Sequence, residues 1–231
     1  MVDVHFVSLE VDAARMQQLD GFLSREERSR AGWFRFDRDR NRFIACRGML
    51  RELLGFKPHE NFVYGAFGKP GIEGSEVRFN VSHSHSMAMI AIARGREVGC
   101  DIERVDPTFA DEKIPERFFS PREVAALRAL PEDDQREAFF RCWTRKEAYI
   151  KACGRGMSLA LDSFDVTLAP DQPAALLRGA KGWSLYNVDA PEGYAAAIVV
   201  EDLTQRLITM PTSSLMLSMT KSGGAAANVS G

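Results

Sequence analysis

The sequence predicts an α+β fold in two parts, and three observations predict it. Short stretches of period-two alternation or unbroken apolar character occur in both parts, at 2–6, 77–81, 87–93 and 98–103 and again at 163–169, 182–188 and 194–200. Longer stretches with apolar residues at three- and four-residue steps separate them, chiefly 34–54 and 139–153. A connector opening at Asp106-Pro107 and running to about Pro115 divides the whole into 1–105 and 106–210. The remainder, 211–231, is rich in Ser, Thr, Gly and Ala and is expected to be a disordered or weakly docked tail.

Composition narrows the function without settling it. A chain of 231 residues can bury a sizeable core, and 45% hydrophobic with 27% charged residues is ordinary for a soluble globular protein. A net charge of −2 offers no sequence-wide attraction to nucleic acid or an anionic membrane, so anion binding must come from a local cluster. The N-terminus lacks a basic stretch followed by an apolar run, and no apolar run is long enough to span a bilayer. Cys46, Cys100, Cys142 and Cys153 are widely spaced and form no CxxC, against a zinc ribbon or a disulfide framework. The expectation is a cytoplasmic protein with neither a nucleic-acid nor a membrane partner.

In order, Val2, Val4 and Phe6 begin a strand, Asp12 caps a short helix toward Phe22, and 24–30 is a solvated helical turn. From 34 to 54 an apolar face (Phe43, Ala45, Met49, Leu50) backs onto Arg35, Arg38, Arg42 and Arg51, and Gly55 ends the helix. Those arginines are either solvated or one wall of an anion site, because guanidinium pairs bidentately with phosphate oxygens. Gly68-Lys69-Pro70-Gly71 makes a tight turn. In VRFNVSHSHS, Val77, Phe79 and Val81 take one strand face and Arg78, Asn80 and Ser82 the other, before a Ser/His loop. Residues 87–93 form a buried strand or a helix segment. In the strand that follows, Asp101 and Glu103 share a face, which is unfavourable unless a cation sits between them.

Beyond the connector, Ser120-Pro121-Arg122-Glu123 is a capping box with proline at the first helical position, so Glu123 is explained as a cap, with catalysis the alternative. The stretch FFRCWTRKEAYIKACGRGM from Phe139 carries an apolar stripe of Phe139, Cys142, Trp143, Tyr149, Ile150 and Cys153. Lys146 and Glu147 interrupt it and aim a carboxylate inward, where it needs a partner or a metal. Lys151 lies one turn later on the same side, and Gly154 closes the helix. The plain alternative is a surface ion pair between Glu147 and Lys151. Of the three later strands, 194–200 is small and β-branched enough to be central.

Asp101, Glu103 and Glu147 are few, hard oxygen donors without a histidine cluster, which suits Mg²⁺ completed by water and substrate phosphates. Arg51, Lys69, His83 and Lys151, with the Ser82 hydroxyl, are the groups available to hold phosphate oxygens. His83 and His85 have no third ligand spaced for zinc, and His85 is read as structural.

Five motifs in order then resemble the Sfp-type 4'-phosphopantetheinyl transferases. They are Gly68-Lys69-Pro70, Phe79-Asn80-Val81-Ser82-His83-Ser84, Gly99-Cys100-Asp101-Ile102-Glu103, Phe118-Phe119-Ser120 with Glu123, and Trp143-Thr144-Arg145-Lys146-Glu147-Ala148 with Lys151, Gly154 and Gly156. The resemblance implies two alike half-domains related by a pseudo-twofold, with coenzyme A bound between them in a monomer. It implies transfer of the phosphopantetheine arm of coenzyme A to a serine of an apo acyl or peptidyl carrier protein, with release of adenosine 3',5'-bisphosphate. Asp101, Glu103 and Glu147 would then hold Mg²⁺, and Arg51, Lys69, Ser82 and His83 would bind coenzyme A phosphates. Lys151 would contact the phosphate under attack, and Glu147 would help deprotonate the serine. One departure is Glu26-Glu27-Arg28-Ser29-Arg30, where the family often carries lysines; Arg28 or Arg30 would stand in. Two rival readings remain, another Mg²⁺-dependent phosphotransferase, for which no Walker loop is present, and a non-catalytic coenzyme A or carrier-binding module.

Overall fold

The computed structural model describes residues 1–106, 108 and 113–202. The expected tail beyond residue 210 and half of the expected connector (107 and 109–112) lie outside them.

Local chemistry sets the helix limits. Helix α1 (Ala13–Phe22) starts where Asp12 accepts from the Arg15 amide at 2.7 Å, and α2 (Arg25–Ala31) starts on a full capping box of Ser24 and Glu27. Helix α3 (Asp37–Leu54) ends at Gly55 with φ 66°, a left-handed conformation glycine adopts without a Cβ penalty. Helix α4 (Ile114–Phe118) is a single short turn, and α5 (Pro121–Arg128) carries the expected Ser120–Glu123 box. Helix α6 (Glu132–Cys153) is the longest and ends at the left-handed Gly154.

Strands β1 (Val2–Ser8), β4 (Val77–Ser84) and β5 (Met87–Arg94) form an antiparallel sheet in the order β1-β5-β4. Strands β6 (Val98–Arg104), β9 (Trp183–Asn187) and β10 (Tyr194–Glu201) form a second, with β10 central as its small β-branched sequence suggests. Two short ladders join β2 (Val63–Tyr64) to β3 (Pro70–Gly71) and β7 (Asp165–Val166) to β8 (Leu176–Arg178). Helices α1 and α3 pack Leu19, Ala45 and Leu50 onto Phe79 and Ile90 of the first sheet, while α6 packs Ala148 and Ala152 onto Ala197 and Val199 of the second. Met89 and Ala91 of β5 meet Cys100 and Ile198, so the sheets share a third apolar layer.

Two strands differ from expectation. The segment 163–169 shrinks to the two residues of β7, because side chains take its backbone groups: Glu123 accepts from the Val166 amide at 2.8 Å and Lys146 donates to the Phe164 carbonyl at 2.7 Å. Strand β4 continues through Ser84 instead of dissolving into a Ser/His loop, and the turn falls on His85, whose φ is 53°.

Helix α6 approaches β6 backbone to backbone. A Cβ on Gly99 would lie 2.2 Å from both the Ala148 carbonyl oxygen and the Ala152 nitrogen. Neither atom can yield without moving a helix, so Gly99→Ala is expected to cost about 2–3 kcal/mol, read as a lower chemical-denaturation midpoint.

Candidate active site

Strands β4 and β6 belong to different sheets but are bridged by polar side chains at every second residue of β4. Asn80 Oδ1 accepts from the Cys100 amide at 2.9 Å, Ser82 Oγ donates to Asp101 Oδ1 at 2.7 Å, and Ser84 Oγ donates to Glu103 Oε2 at 2.8 Å while accepting from the Arg104 amide at 3.1 Å. The polar face read from the alternation of β4 is this bridge.

Helix α6 adds the third wall. Lys151 Nζ donates to Asp101 Oδ1 at 2.6 Å and to Ser82 Oγ at 2.8 Å, so the lysine's partners lie across the fold and not one turn back on its own helix. Burial alone would lower the Lys151 ammonium, but Asp101 outweighs it and holds the lysine protonated. Asp101 is 2% exposed, and its Oδ2 has no hydrogen-bond partner among the described residues. Burial pushes its carboxyl up despite Lys151, and the half-buried Glu103 and Glu147 are pushed up by burial and by Asp101. An orphaned oxygen among repelling carboxylates is a site that a cation would relieve. Among the described residues no three His, Cys, Asp or Glu side chains form a metal cage by themselves.

Two cavities meet on β4, both touching Pro70, Asn80 and Val81. The first, about 530 Å³, is walled by Arg30, Phe34, Arg42, Phe43, Arg47 and His83. The second, about 750 Å³, presents Phe67, Phe118, Trp143 and Leu159 with Glu147 and Lys151. His83 is lowered by burial and then by Lys151 and Arg42, which keeps its ring neutral near pH 7. Arg30 and Arg42, named from the sequence only as stand-ins or solvated candidates, share this wall. Arg47 was not singled out, and Ser84 was named in its motif without a role; the signals were the i, i+4 step from Phe43 to Arg47 and the period-two step from Ser82 to Ser84.

Other assigned residues have different work. Arg51, expected at a phosphate, is 1% exposed, and its guanidinium is spent on Glu27 at 2.5 Å and on the carbonyls of Lys57 at 2.8 Å and Glu60 at 2.9 Å, packed between the rings of Phe56 and Phe62. It is a structural arginine and that assignment is corrected. Lys69 Nζ donates to Glu97 at 2.8 Å and to the carbonyls of Val98 at 3.0 Å and Ala152 at 2.8 Å, tying the β2–β3 ladder to β6 and α6, and its chain lines the second cavity. Glu123 is a buried cap whose Oε2 meets Lys146 Nζ at 2.7 Å, so its alternative as a catalyst falls away. Lys146, not Glu147, is the fully buried member of the pair that interrupts the stripe.

A family model described as the 4'-phosphopantetheinyl transferase superfamily matches residues 97–199, the span holding Asp101, Glu103, Glu147 and Lys151. The chain is 38% identical over 209 residues to the 4'-phosphopantetheinyl transferase HetI of a Nostoc species, covering 86% of this chain and 87% of that one. It is 31% identical over 201 residues to a 4'-phosphopantetheinyl transferase of Bacillus subtilis, covering 84% and 88%. It is 32% identical over 207 residues to the 4'-phosphopantetheinyl transferase gsp of Aneurinibacillus migulanus, covering 84% of each.

Replacing Arg51 by Met strands Glu27 in the interior and is expected to lower stability by about 3 kcal/mol in urea denaturation. Glu147→Gln is expected to act oppositely in metal-free protein. A carboxyl whose folded pKa is raised contributes stability below its unfolded pKa and loses it as pH rises through the folded value. The variant's denaturation midpoint should therefore match wild type at acid pH and exceed it at neutral pH, in a pH series of thermal melts.

Proposed function

The chain belongs to the 4'-phosphopantetheinyl transferase superfamily, and from that premise we propose that it moves the 4'-phosphopantetheine arm of coenzyme A onto a serine hydroxyl of an apo acyl or peptidyl carrier protein. The observation that carries this reading is Asp101: one oxygen is held by Ser82 and by Lys151, which lines the second cavity, and the other is buried without a hydrogen bond.

The first cavity suits the nucleotide end of coenzyme A, with Arg30, Arg42 and Arg47 for phosphate oxygens, the neutral His83 as a hydrogen-bond donor, and Phe34 and Phe43 for the base. The second suits the pantetheine arm and the incoming serine. The first cavity is walled from 1–105 alone, and we place the second between halves 1–105 and 106–210, alike in build about a pseudo-twofold, in a monomeric cytoplasmic enzyme. Asp101, Glu103 and Glu147 would hold Mg²⁺, which when bound neutralises pyrophosphate charge.

The serine oxygen attacks the phosphorus that carries the pantetheine arm, and the bond from that phosphorus to the bridging oxygen breaks to release adenosine 3',5'-bisphosphate. Glu147, which lines the second cavity beside Lys151, takes the serine proton. Lys151 is charged and within reach of Asp101 and Ser82, so a short swing of its long side chain carries the ammonium to the phosphoryl oxygens. Such transfer depends on positioning and charge neutralisation, which these residues supply.

Intact-mass analysis of an apo carrier protein incubated with the chain, coenzyme A and Mg²⁺ should show an added phosphopantetheine. No added mass, with a known transferase working in parallel, sinks the proposal. Glu147→Gln should keep coenzyme A binding and lose roughly 100-fold or more in turnover, whereas a mere binding module would be indifferent to it.

A further inference from the structure

Ser84 has no part in the chemistry above, yet its hydroxyl is committed on both sides. It donates to Glu103 Oε2 at 2.8 Å and accepts from the Arg104 amide at 3.1 Å, and its residue is 8% exposed. It lines neither cavity, so it is not placed to touch coenzyme A or a carrier protein. Its position is rigid, because β4 pairs Ser84 with Met87 and the next residue, His85, makes the left-handed turn at φ 53°. Glu103 has a longer side chain than Asp101 and is only half-buried, and Ser84 is the hydroxyl that fixes its carboxylate. Ser82 and Ser84 thus stand two residues apart on β4 and grip Asp101 and Glu103, two residues apart on β6.

We propose that Ser84 is a positioning residue for the cation site, holding Glu103 Oε2 so that the glutamate's other oxygen is presented to the divalent ion. The proposal rests on the transferase reading. Its physical basis is that groups hydrogen-bonded to metal ligands set ligand orientation, and losing one typically weakens metal binding 10- to 100-fold. A free glutamate must give up rotamer freedom on binding an ion, whereas one already tied to a hydroxyl gives up less.

The test is Mn²⁺ binding to the full chain in the presence of coenzyme A, followed by the loss of the free-ion electron paramagnetic resonance signal, for wild type, Ser84→Ala and Ser84→Thr. Ser84→Ala should weaken Mn²⁺ about 10-fold or more. It should also raise the Mg²⁺ concentration needed for half-maximal transfer, with turnover largely recovered at saturating metal. Ser84→Thr keeps the hydroxyl and should restore affinity. Equal Mn²⁺ affinity in Ser84→Ala and wild type overturns the proposal, as does a Ser84→Thr that binds no better than Ser84→Ala. If Ser84→Ala does not fold, Ser84→Cys, a weaker donor, makes the same comparison: reduced affinity supports the proposal and wild-type affinity overturns it. Carrier modification by the same wild-type preparation is scored separately by mass, so failure of the transferase reading is distinguishable from failure of the role given to Ser84.

Discussion

The ion pair of Asp101 and Lys151 is the constraint the rest of the structure serves. A carboxylate taken out of water is costly, and one lysine offsets that cost only with good geometry and further hydrogen bonds. Ser82 supplies one such bond, and the 2.6 Å contact supplies the geometry. Each partner comes from a different element, β6, α6 and β4, so the pair exists only when both sheets and the long helix are in place. Gly99 is the permissive condition, since any side chain there would push α6 away and take Lys151 and Glu147 with it.

The local charge balance then explains why this is a reactive and not a finished site. Lys151 contributes one positive charge against Asp101, Glu103 and Glu147; burial pushes all three carboxyls up, and Asp101 pushes Glu103 and Glu147 further. The surplus is negative, and its Glu147 lines the second cavity, which shares Pro70, Asn80 and Val81 with the arginine-walled first. A phosphate-rich ligand would satisfy the arginines but repel the carboxylates, so binding it close to both requires a cation between them.

Much of this was legible in the sequence because it is local. Caps at Asp12, Ser24 and Ser120, left-handed stops at Gly55 and Gly154, and the shared face of Asp101 and Glu103 all follow from spacing of four residues or fewer. What was not legible is partnership across long separations. Arg51 reads as a candidate phosphate ligand because nothing nearby in sequence announces Glu27, 24 residues away, as its acceptor. Lys151 reads as the partner of Glu147 because an i, i+4 spacing is visible and Asp101, 50 residues back, is not. Segment 163–169 reads as a strand because its apolar residues fit one, while Glu123 and Lys146 take its backbone groups from outside.

Three buried ion pairs in one chain allow structural charge to be told from functional charge. Lys146 meets Glu123 and the carbonyls of Leu161 and Phe164, each at 2.7 Å, and the other Glu123 oxygen accepts from Val166. Arg51 is divided among one carboxylate and two carbonyls, and the second oxygen of Glu27 still faces Arg47 at 3.4 Å. The Lys146–Glu123 pair is closed, whereas Glu27 Oε1 is buried without a hydrogen bond and has only the Arg47 guanidinium beside it. Asp101 likewise has one buried oxygen without a hydrogen bond, but what lies near it besides Lys151 is more negative charge. A fold gains no stability by leaving a buried acceptor unmade, since that costs on the order of 1–3 kcal/mol. What separates Asp101 from Glu27 is the sign of the surroundings: a guanidinium faces the open oxygen of Glu27, while Glu103 and Glu147 add negative charge around Asp101.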